Sequence, residues 1–408
     1  MYDAAVVGAG AAGMMAAITA AERGKSVLLI EPGEIFGKKL RITGKGRCNL
    51  TNNCDWREVI ANIPTGGKFL QSAIHAFPPS GAIEFFEKLD VPLKTERGRR
   101  VFPVSDKAGD VADALARRIE RLGITALRAR AARVFTENGA VTAISAGKKI
   151  LCGAVILATG GLSYPQTGST GDGYKMAAEH GHTIITPKAS LVPLESPDAF
   201  CAQLTGLTLK NVRLTITDGG KKPVFSDFGE LLFTHFGISG PLTLSASAHM
   251  RELKSRECRA IVDLKPALSE DVLDARVLRD FDKSKNRDFA NALVGLAPRV
   301  MLPVLIARSG IDPAKKVNSV TREERRRLTE LLKSFDIRIS GARPVSEAVI
   351  TSGGVDTKEI VPATMESKLV RGLFFAGEII NADAYTGGYN LQIAWATAVA
   401  AAHAICRF

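Results

Sequence analysis

The sequence predicts an α/β protein in which the two ends of the chain form one parallel sheet and the middle forms an insertion. Three short apolar runs, at 4–7, 155–158 and 373–376, stop at or close to a glycine, which is typical of buried parallel strands. A helix rich in small residues at 11–23 follows the first run and leads to a fourth strand at 27–30. Strand, helix and strand in direct succession form the βαβ unit that opens a parallel sheet.

The middle of the chain has a different pattern. Apolar residues alternate over 207–217, and the glycine pair at 219–220 is typical of an antiparallel hairpin. Helical periodicity then occurs at 269–282, 299–308 and 322–334. Strand-like segments return from Phe335. This order indicates a β-rich region followed by a helical region.

The length of 408 residues is long for a single core, so two or three domains are expected. The patterns predict one discontinuous domain at 1–189 and 344–408, and an inserted substrate or cap domain at 190–343. Within the insertion, 190–265 is expected to be β-rich and 266–334 helical.

Composition excludes several classes of protein. Hydrophobic residues make up 46% and charged residues 24%, as in ordinary folded proteins. The six cysteines form no CxxC pair, which argues against a disulfide framework or a metal site and favours a reducing cytoplasm. No uncharged apolar run is long enough for a membrane span. We therefore expect a cytoplasmic protein without a metal.

The net charge is +12, and the isoelectric point is near 9.5. A basic surface attracts anions such as nucleotides, acidic metabolites or RNA. The densest basic run, 322–327, is typical of the solvated face of a helix. Charge alone gives RNA little support, so a small-molecule partner is expected and a nucleic acid is not. The sequence leaves the oligomeric state open.

A GxGxxG motif, Gly8-Ala9-Gly10-Ala11-Ala12-Gly13, lies between the first predicted strand and helix. The first glycine permits the tight turn, the second lets the backbone approach a pyrophosphate, and the third lets the helix pack on the sheet. The N-terminus of the helix, at Ala11 and Ala12, offers backbone N–H groups to phosphates. This context predicts a Rossmann-like dinucleotide site.

Glu31 ends the second predicted strand, where a carboxylate would bind both ribose hydroxyls and repel a 2′-phosphate. These features allow either NAD or FAD. A basic, glycine-rich loop at 37–52 follows, where an NAD domain would continue its strands and helices. A longer cofactor needs such a segment to reach its flavin end, so FAD is predicted.

Two more glycine-rich stretches follow predicted strands. Ala158-Thr159-Gly160-Gly161 ends one strand, and the glycines at 168–173 open a helix that is expected to run to Gly181. Ala376-Gly377-Glu378 ends another strand, and 386–392 enters an alanine-rich helix. A helix N-terminus directed at the flavin pyrimidine would stabilise negative charge there.

These motifs resemble a bacterial family of FAD-dependent oxidoreductases described as aminoacetone oxidase-like or 3-dehydro-bile-acid reductase-like. The shared segments span nearly the whole chain: the GxGxxG, TGKGRCNLTN at 43–52, GRRVFPVS at 98–105, ATGGLSYP at 158–165, FTHFGISGP at 233–241, TSGGV at 351–355, and 377–392. The family loop usually has Ser-Gly-Gly where this chain has Thr43-Gly44-Lys45.

The resemblance implies a Rossmann-like, three-layer FAD-binding domain with an inserted β-rich and helical domain. It implies that Glu31 binds the adenosine ribose, that Glu378 binds the ribityl chain, and that 47–49 and 388–392 lie near the flavin. The expected cofactor-binding residues are Gly8, Gly10, Ala11, Ala12, Gly13, Glu31, Arg47, Cys48, Asn49, Val134, Ala158, Thr159, Gly160, Gly161, Gly377, Glu378, Gly388, Asn390, Leu391 and Gln392.

FAD carries hydride chemistry itself, so the protein needs to supply position, charge and one proton. The candidates for proton transfer or substrate orientation are His235, Tyr164, Tyr385 and Tyr389, of which His235, Tyr164 and Tyr389 are selected, with a structural turn histidine as the alternative for His235. Cys48 has no partner thiol nearby in sequence and is interpreted as a small buried residue.

The function expected is hydride transfer between noncovalently bound FAD and a small organic substrate. No second GxGxxG stands in a βαβ setting, so NAD(P)H is expected at most as a transient donor over the flavin. An FAD-dependent RNA-modifying enzyme is the first alternative, and a binding module with structural FAD is the second.

Overall fold

The computed structural model describes residues 1–220, 222–250 and 258–406, and it begins with the predicted strand–helix–strand unit. This unit consists of β1 (Tyr2–Val7), α1 (Ala11–Ala21) and β2 (Val27–Ile30). The helix ends two residues before the predicted end, and the chain then turns at Gly24, which has a left-handed φ of 80°.

The other helices and strands follow in chain order. The strands are β3 (Thr51–Asn52), β4 (Leu93–Glu96), β5 (Arg100–Pro103), β6 (Thr125–Leu127), β7 (Arg133–Glu137), β8 (Ala140–Ala146), β9 (Lys148–Leu157), β10 (Ile184–Ser190), β11 (Leu194–Glu195), β12 (Thr208–Thr217), β13 (Phe225–Thr234), β14 (Gly237–Ser239), β15 (Arg259–Asp263), β16 (Phe335–Arg338), β17 (Gly341–Ala342), β18 (Ile350–Val355) and β19 (Leu373–Phe375). The helices are α2 (Lys38–Ile42), α3 (Trp56–Ala61), α4 (Gly67–Ala76), α5 (Pro79–Lys88), α6 (Ala108–Arg121), α7 (Asp172–Ala178), α8 (Phe200–Gln203), α9 (Pro241–Ser247), α10 (Glu270–Asp282), α11 (Phe289–Ala292), α12 (Leu302–Ser309), α13 (Arg322–Lys333) and α14 (Tyr389–Ile405).

The chain divides into two units by its internal contacts. The first unit consists of Met1–Ser190 together with the described residues from Val345 onward, and the second consists of Leu191–Pro344. Each unit has its own hydrophobic core.

The parallel part of the first unit has the strand order β6-β2-β1-β9, and β19 lies on the other side of β9. In register, Val7 faces Ile30 on one side and Leu157 on the other, and Leu157 faces Phe375. All five strands therefore end at the same edge of the sheet. In open parallel sheets this edge is where ligands bind.

A second layer of the first unit is helical. Helix α14 is buried along almost its whole length, and it packs against α1. Both helices are rich in alanine, which lets their backbones approach closely. Trp395 is fully buried, and its indole N–H donates to the Leu50 carbonyl at 3.0 Å. This packing fixes the position at which α14 begins.

An antiparallel sheet, β7-β8-β9, continues the parallel one. The sequence predicts only the end of β9, because its first half, at 148–151, pairs with β8 and is mostly exposed, so it has no buried apolar run. Two smaller sheets, β3-β5-β4 and β10-β18, complete the first unit.

The second unit contains an antiparallel sheet with the strand order β16-β15-β12-β13-β14-β11-β17. In the chain, helices α10 to α13 lie between β15 and β16. The apolar alternation in β12 skips one residue between Leu209 and Val212, and the structure explains the skip. A β-bulge lies there, with Asn211 at a φ of 57°. Helix α13 begins with a capping box between Thr321 and Glu324. These elements confirm the predicted mixed α/β fold class.

Candidate functional site

A cleft opens in the first unit at the edge where the five parallel strands end. The predicted residues that line it are Gly8, Gly10, Ala11, Ala12, Glu31, Ala158, Thr159, Gly160, Gly377, Glu378, Asn390 and Leu391. The predicted cofactor residues outside its lining are Gly13, Arg47, Cys48, Asn49, Val134, Gly161, Gly388 and Gln392. The strand ends, the glycine turn and the start of α14 therefore meet around one cavity.

The three glycines of the GxGxxG differ in what surrounds them. A Cβ on Gly8, which has a φ of 99°, would lie 2.6 Å from the Ala158 carbonyl oxygen. A Cβ on Gly13 would lie 1.8 Å from the Gly8 carbonyl oxygen. A Cβ on Gly10 would meet no atom within 4 Å and would project into the cleft. Packing thus requires the first and third glycines, whereas the second leaves room for a ligand at the N-terminus of α1.

Glu31 lies at the end of β2 with both carboxylate oxygens oriented by backbone groups. One oxygen accepts from the Ala9 N–H and the other from the Gly33 N–H, each at 2.9 Å. A carboxylate can accept about four hydrogen bonds, so it retains capacity for two further donors. This arrangement fits a pair of ribose hydroxyls.

The residues after β9 contribute a hydroxyl and close packing. The Thr159 hydroxyl is buried without a hydrogen-bond partner, although Thr159 lines the cleft. A Cβ on Gly173 would lie 2.1 Å from this hydroxyl, so the hydroxyl packs against α7. Gly160 has a φ of 73°, and a Cβ on Gly161 would lie 2.4 Å from the Thr351 hydroxyl.

Glu378 lies in a buried network of hydrogen bonds. One oxygen accepts from the Ser163 hydroxyl at 2.7 Å and from the Thr351 N–H at 2.8 Å. The other accepts from the Lys39 ammonium at 2.5 Å, and that ammonium also donates to Ser163 at 2.6 Å. Burial by itself raises the pKa of Glu378, but the charge of Lys39 and these hydrogen bonds bring the pKa below its usual value. Glu378 is therefore an ionised acceptor on the wall of the cleft.

The basic loop after the first βαβ unit folds back on itself, and three of its predicted site residues lie outside the cleft lining. Arg47 makes ion pairs with Glu96 and Asp106 and stacks over the Phe102 ring at 4.2 Å. Cys48 has a φ of 62° and is completely buried, which raises the pKa of its thiol to about 12. The thiol is thus protonated and unreactive at neutral pH.

The start of α14 is held by side chains from both ends of the chain. The Asn49 side chain can accept from the Gly388 N–H at 3.0 Å. The Asn390 carboxamide bonds both backbone groups of Ala384 at 2.8 Å. Gln392 is buried and accepts from the Thr51 hydroxyl at 2.7 Å. These bonds set the backbone of the turn that ends in Asn390 and Leu391 at the cleft.

Val134 is buried in β7, and its carbonyl accepts from the His180 ring at 3.2 Å. Val134 is therefore a core residue whose backbone is already bonded.

The predicted catalytic side chains have three different environments. His235 is exposed in the turn between β13 and β14 of the second unit, with its ring edge-on to Phe236. Tyr164 is partly exposed in the first unit, and its φ of 52° places it in the left-handed region beside Ser163. Tyr389 is buried at the first position of α14, and burial, with smaller contributions from Cys54 and Glu58, raises its pKa to about 12.

Sequence reasoning missed several residues that line the cleft. Lys39 belongs to the basic loop at 37–52, and the basic composition of that loop indicated a cofactor contact. The pairing of Lys39 with Glu378 is not visible in the sequence. Arg130 follows β6, and its guanidinium makes two bonds to Asp172 at the start of α7, at 2.7 and 2.8 Å. The apolar Val349 and Ile350 come from the start of β18.

The part of the chain that the structure describes contains neither a metal-ligand cluster nor a long apolar helix. Over residues 1–220, 222–250 and 258–406, no three or more His, Cys, Asp or Glu side chains are grouped so that they could hold a metal ion. Within the same ranges, no helix has the length and apolar character needed to cross a membrane.

Comparison with known proteins gives one family match and two full-length relatives. The family described as HI0933-like protein Rossmann domain matches residues 2–404. The "Ribosomal RNA dihydrouridine synthase" of Escherichia coli K12 is 31% identical over 404 residues, which cover 98% of this chain and 97% of that protein. The "3-dehydro-bile acid delta(4,6)-reductase" of Clostridium scindens is 30% identical over 409 residues, which cover 98% of each chain.

Among solved structures, 3-ketosteroid delta1-dehydrogenase from Sterolibacterium denitrificans has a TM-score of 0.54 at 15% identity. The alignment covers 100% of this chain and 99% of that one, which shows a common fold. The family match, which extends over nearly the whole chain, confirms the resemblance predicted from the motifs. The chain belongs to the HI0933-like Rossmann-domain family of FAD-dependent oxidoreductases.

Proposed function

We propose that this protein reduces a carbon–carbon double bond conjugated to a carbonyl group in a small organic substrate, using FAD bound noncovalently in the cleft. The observation that carries the proposal is the cleft itself. It combines an open glycine turn and a ribose-type carboxylate at Glu31 with a second, charge-paired carboxylate at Glu378. A dinucleotide with polar groups along its length fits this series of contacts.

The names of the two relatives support the reaction class. One is a dihydrouridine synthase and the other a delta(4,6)-reductase of a 3-dehydro compound. Both names denote hydrogen addition to a ring double bond, and in both rings the double bond is conjugated to a carbonyl. Addition of a hydride to such a bond places negative charge on the carbonyl oxygen, and a proton completes the reduction.

The adenosine half of FAD is assigned to the glycine turn and Glu31. The backbone N–H groups of Ala11 and Ala12 would hold the pyrophosphate, with Gly10 providing the close approach. Glu31 would accept from both ribose hydroxyls.

The ribityl chain is assigned to Glu378. Lys39 and Ser163 orient this carboxylate and hold it ionised, and the three bonds that it already accepts leave capacity for one ribityl hydroxyl. For the flavin end, Asn390 and Leu391 would follow the pyrimidine edge at the N-terminus of α14. The residues at 47–49 lie outside the cleft lining, so they would support the turn at the start of α14 from the side that faces away from the cleft.

When bound and reduced, FAD would supply the hydride, and the protein would supply orientation and a proton. Of the three predicted catalytic side chains, we assign the proton to Tyr164, because it adjoins Ser163 of the Glu378 network and is partly exposed. Tyr389 is buried against protein, and its hydroxyl would serve packing at the start of α14. His235 is exposed in a turn of the second unit, and its contact with substrate stays a prediction from the sequence.

NAD(P)H is proposed as a transient reductant of the flavin. The chain has no second GxGxxG that could clamp its pyrophosphate. The donor would therefore bind weakly over the flavin and leave before the substrate enters.

An RNA substrate is the second candidate, and the net charge of +12 favours it, as does the name of the Escherichia coli relative. A protein that binds RNA through many phosphate contacts loses affinity steeply as salt increases.

The test is single-turnover reoxidation of the reduced flavoprotein without oxygen. The purified protein should carry FAD that heat releases, and a cyclic enone should reoxidise the reduced flavin with simple saturation. Ribosomal RNA that has not been modified is the parallel substrate. Reoxidation by RNA alone, with a steep salt dependence, would replace the first candidate by the second. A protein without flavin, or flavin inert to both substrates, would refute the proposal.

A further inference from the structure

We infer that the ion pair between Arg130 and Asp172 is a clasp that encloses the adenosine half of the bound cofactor and sets the rate at which FAD is released. The inference rests on the proposed FAD site, and it concerns retention of the cofactor, not the reaction.

The positions of the two residues in the sheet support a clasp. Arg130 belongs to the segment that leaves β6, and Asp172 begins α7, which follows β9. Strands β6 and β9 are separated by β2 and β1, that is by three strand spacings or about 14 Å. The ion pair therefore joins segments from the two sides of β1, and the glycine turn at 8–13 follows β1.

The geometry of the pair is that of a firm link. The Arg130 guanidinium donates to both Asp172 oxygens, at 2.7 and 2.8 Å, which is the bidentate arrangement. Both residues line the cleft. The Arg130 side chain is 64% exposed and that of Asp172 is 24% exposed, so the pair lies at the solvent boundary of the cavity. A link at this boundary can open without unfolding the core.

The clasp is on the adenosine side of the cleft. The Glu31 N–H donates to the carbonyl of Leu127, the last residue of β6, at 3.0 Å. Arg130 is three residues further on, and Ala131 beside it also lines the cleft. The segment with Arg130 thus begins next to the carboxylate assigned to the adenosine ribose.

Release of FAD requires the clasp to open, whereas release of FMN, which has no adenosine, does not. An exposed ion pair contributes up to about 1 kcal/mol, which corresponds to about a fivefold change in rate. Arg128 provides a matched control, because it is exposed two residues before Arg130 and lies outside the cleft lining. Replacing it removes the same charge from the same segment.

The experiment measures FAD and FMN release from the full chain by the rise in flavin fluorescence. Arg130→Ala and Asp172→Asn should each accelerate FAD release about fivefold, the double variant should be no faster than either, and Arg128→Ala should match the wild type. FMN release should be unchanged in all of them. The exchanged pair, Arg130→Asp with Asp172→Arg, should recover most of the slow FAD release, and this distinguishes loss of the link from a weakened α7.

Two results would overturn the clasp. One is FAD release from Arg130→Ala that equals release from Arg128→Ala. The other is FMN release that accelerates as much as FAD release, because this would indicate general loosening of the first unit. A wild-type protein that binds FMN but no FAD would instead refute the proposed function, so the two failures are distinguishable.

Discussion

Replacing Lys39 by methionine should destabilise the first unit at neutral pH. It should also reverse the direction in which the stability of that unit changes as the pH falls. In the wild type, the pKa of Glu378 is below its usual value of 4.5, since the Lys39 charge and the hydrogen bonds outweigh burial. The stabilisation from the ionised carboxylate is therefore complete above about pH 4.5 and is lost only as the pH falls through the lower native pKa. Lys39→Met removes the cation and leaves burial, the largest influence on this pKa, opposed only by the bonds from Ser163 and Thr351, so the pKa of Glu378 should rise.

The magnitude follows from the burial of the pair. The Lys39 side chain is 26% exposed and that of Glu378 is 12% exposed. Removal of one partner of a buried pair decreases the free energy of unfolding by about 3–5 kcal/mol, and the partial exposure of Lys39 favours about 3 kcal/mol. Because Glu378 can then become neutral, the variant should regain part of this stability as the pH falls through the raised pKa of Glu378, whereas the wild type is nearly unchanged above about pH 4.5.

The assay is denaturant unfolding of the FAD-free protein, followed by tryptophan fluorescence. Both tryptophans, Trp56 and Trp395, lie in the first unit, so the signal reports on that unit. The control is Lys39→Met with Glu378→Gln, which should lack the acid-induced recovery. A single variant that is as stable as the wild type at neutral pH, or that loses stability steadily on acidification, would refute this account of the pair.

Four further outcomes are expected. Glu31→Arg should weaken FAD retention sharply, by loss of two charge-assisted bonds of about 1.5–3 kcal/mol each, and wild-type flavin content in the purified variant would contradict the ribose assignment. Gly10→Val should fold with a normal melting temperature but lose FAD, because its side chain projects into the cleft. Gly13→Ala should fail to fold, because its Cβ would lie 1.8 Å from the Gly8 carbonyl oxygen. Equal melting temperatures of the two variants would contradict this difference. Tyr164→Phe should keep its FAD but slow substrate-driven reoxidation by about 10²-fold or more, and an unchanged rate would exclude it as the proton donor. NAD(P)H should reduce the flavin with a Kd of about 0.1–1 mM and more slowly as salt increases, and tight, salt-insensitive saturation in anaerobic stopped flow would reveal a specific pocket.

Local patterns account for the parts of the fold that sequence predicts well. The β1–α1–β2 unit and the glycine turn are contiguous, and both depend on short-range periodicity and turn chemistry. Elements of two to four residues, such as β3 and β5, have too few positions for a period to be detected. In β12 the bulge at Asn211 shifts the alternation by one residue, so the strand is visible but its register with β13 is not.

Prediction of the site has a similar limit. Residues fixed by motif, such as Glu31 and Glu378, line the cleft as expected, because strand ends in parallel register must meet at one edge. Lys39 is 339 residues from Glu378 in the chain, and Arg130 is 42 residues from Asp172. Such pairs depend on which strands are neighbours, and neither periodicity nor a turn signal specifies that.

The loop at 43–49 departs from the family pattern at Lys45, and its backbone there adopts a conformation that favours glycine. Gly44 and Lys45 both adopt left-handed conformations, with φ of 59°. The family usually has glycine at the second of these positions, which adopts this conformation freely, whereas a residue with a Cβ adopts it at a cost of about 1–3 kcal/mol. The surrounding bonds hold the conformation, since the Cys48 N–H donates to the Thr43 carbonyl at 3.1 Å. Lys45 is exposed, so the substitution adds backbone strain without placing a side chain in the core. The lysine at this position therefore adds a conformational cost to a loop whose Asn49 can accept from the Gly388 N–H, at the turn that leads into α14.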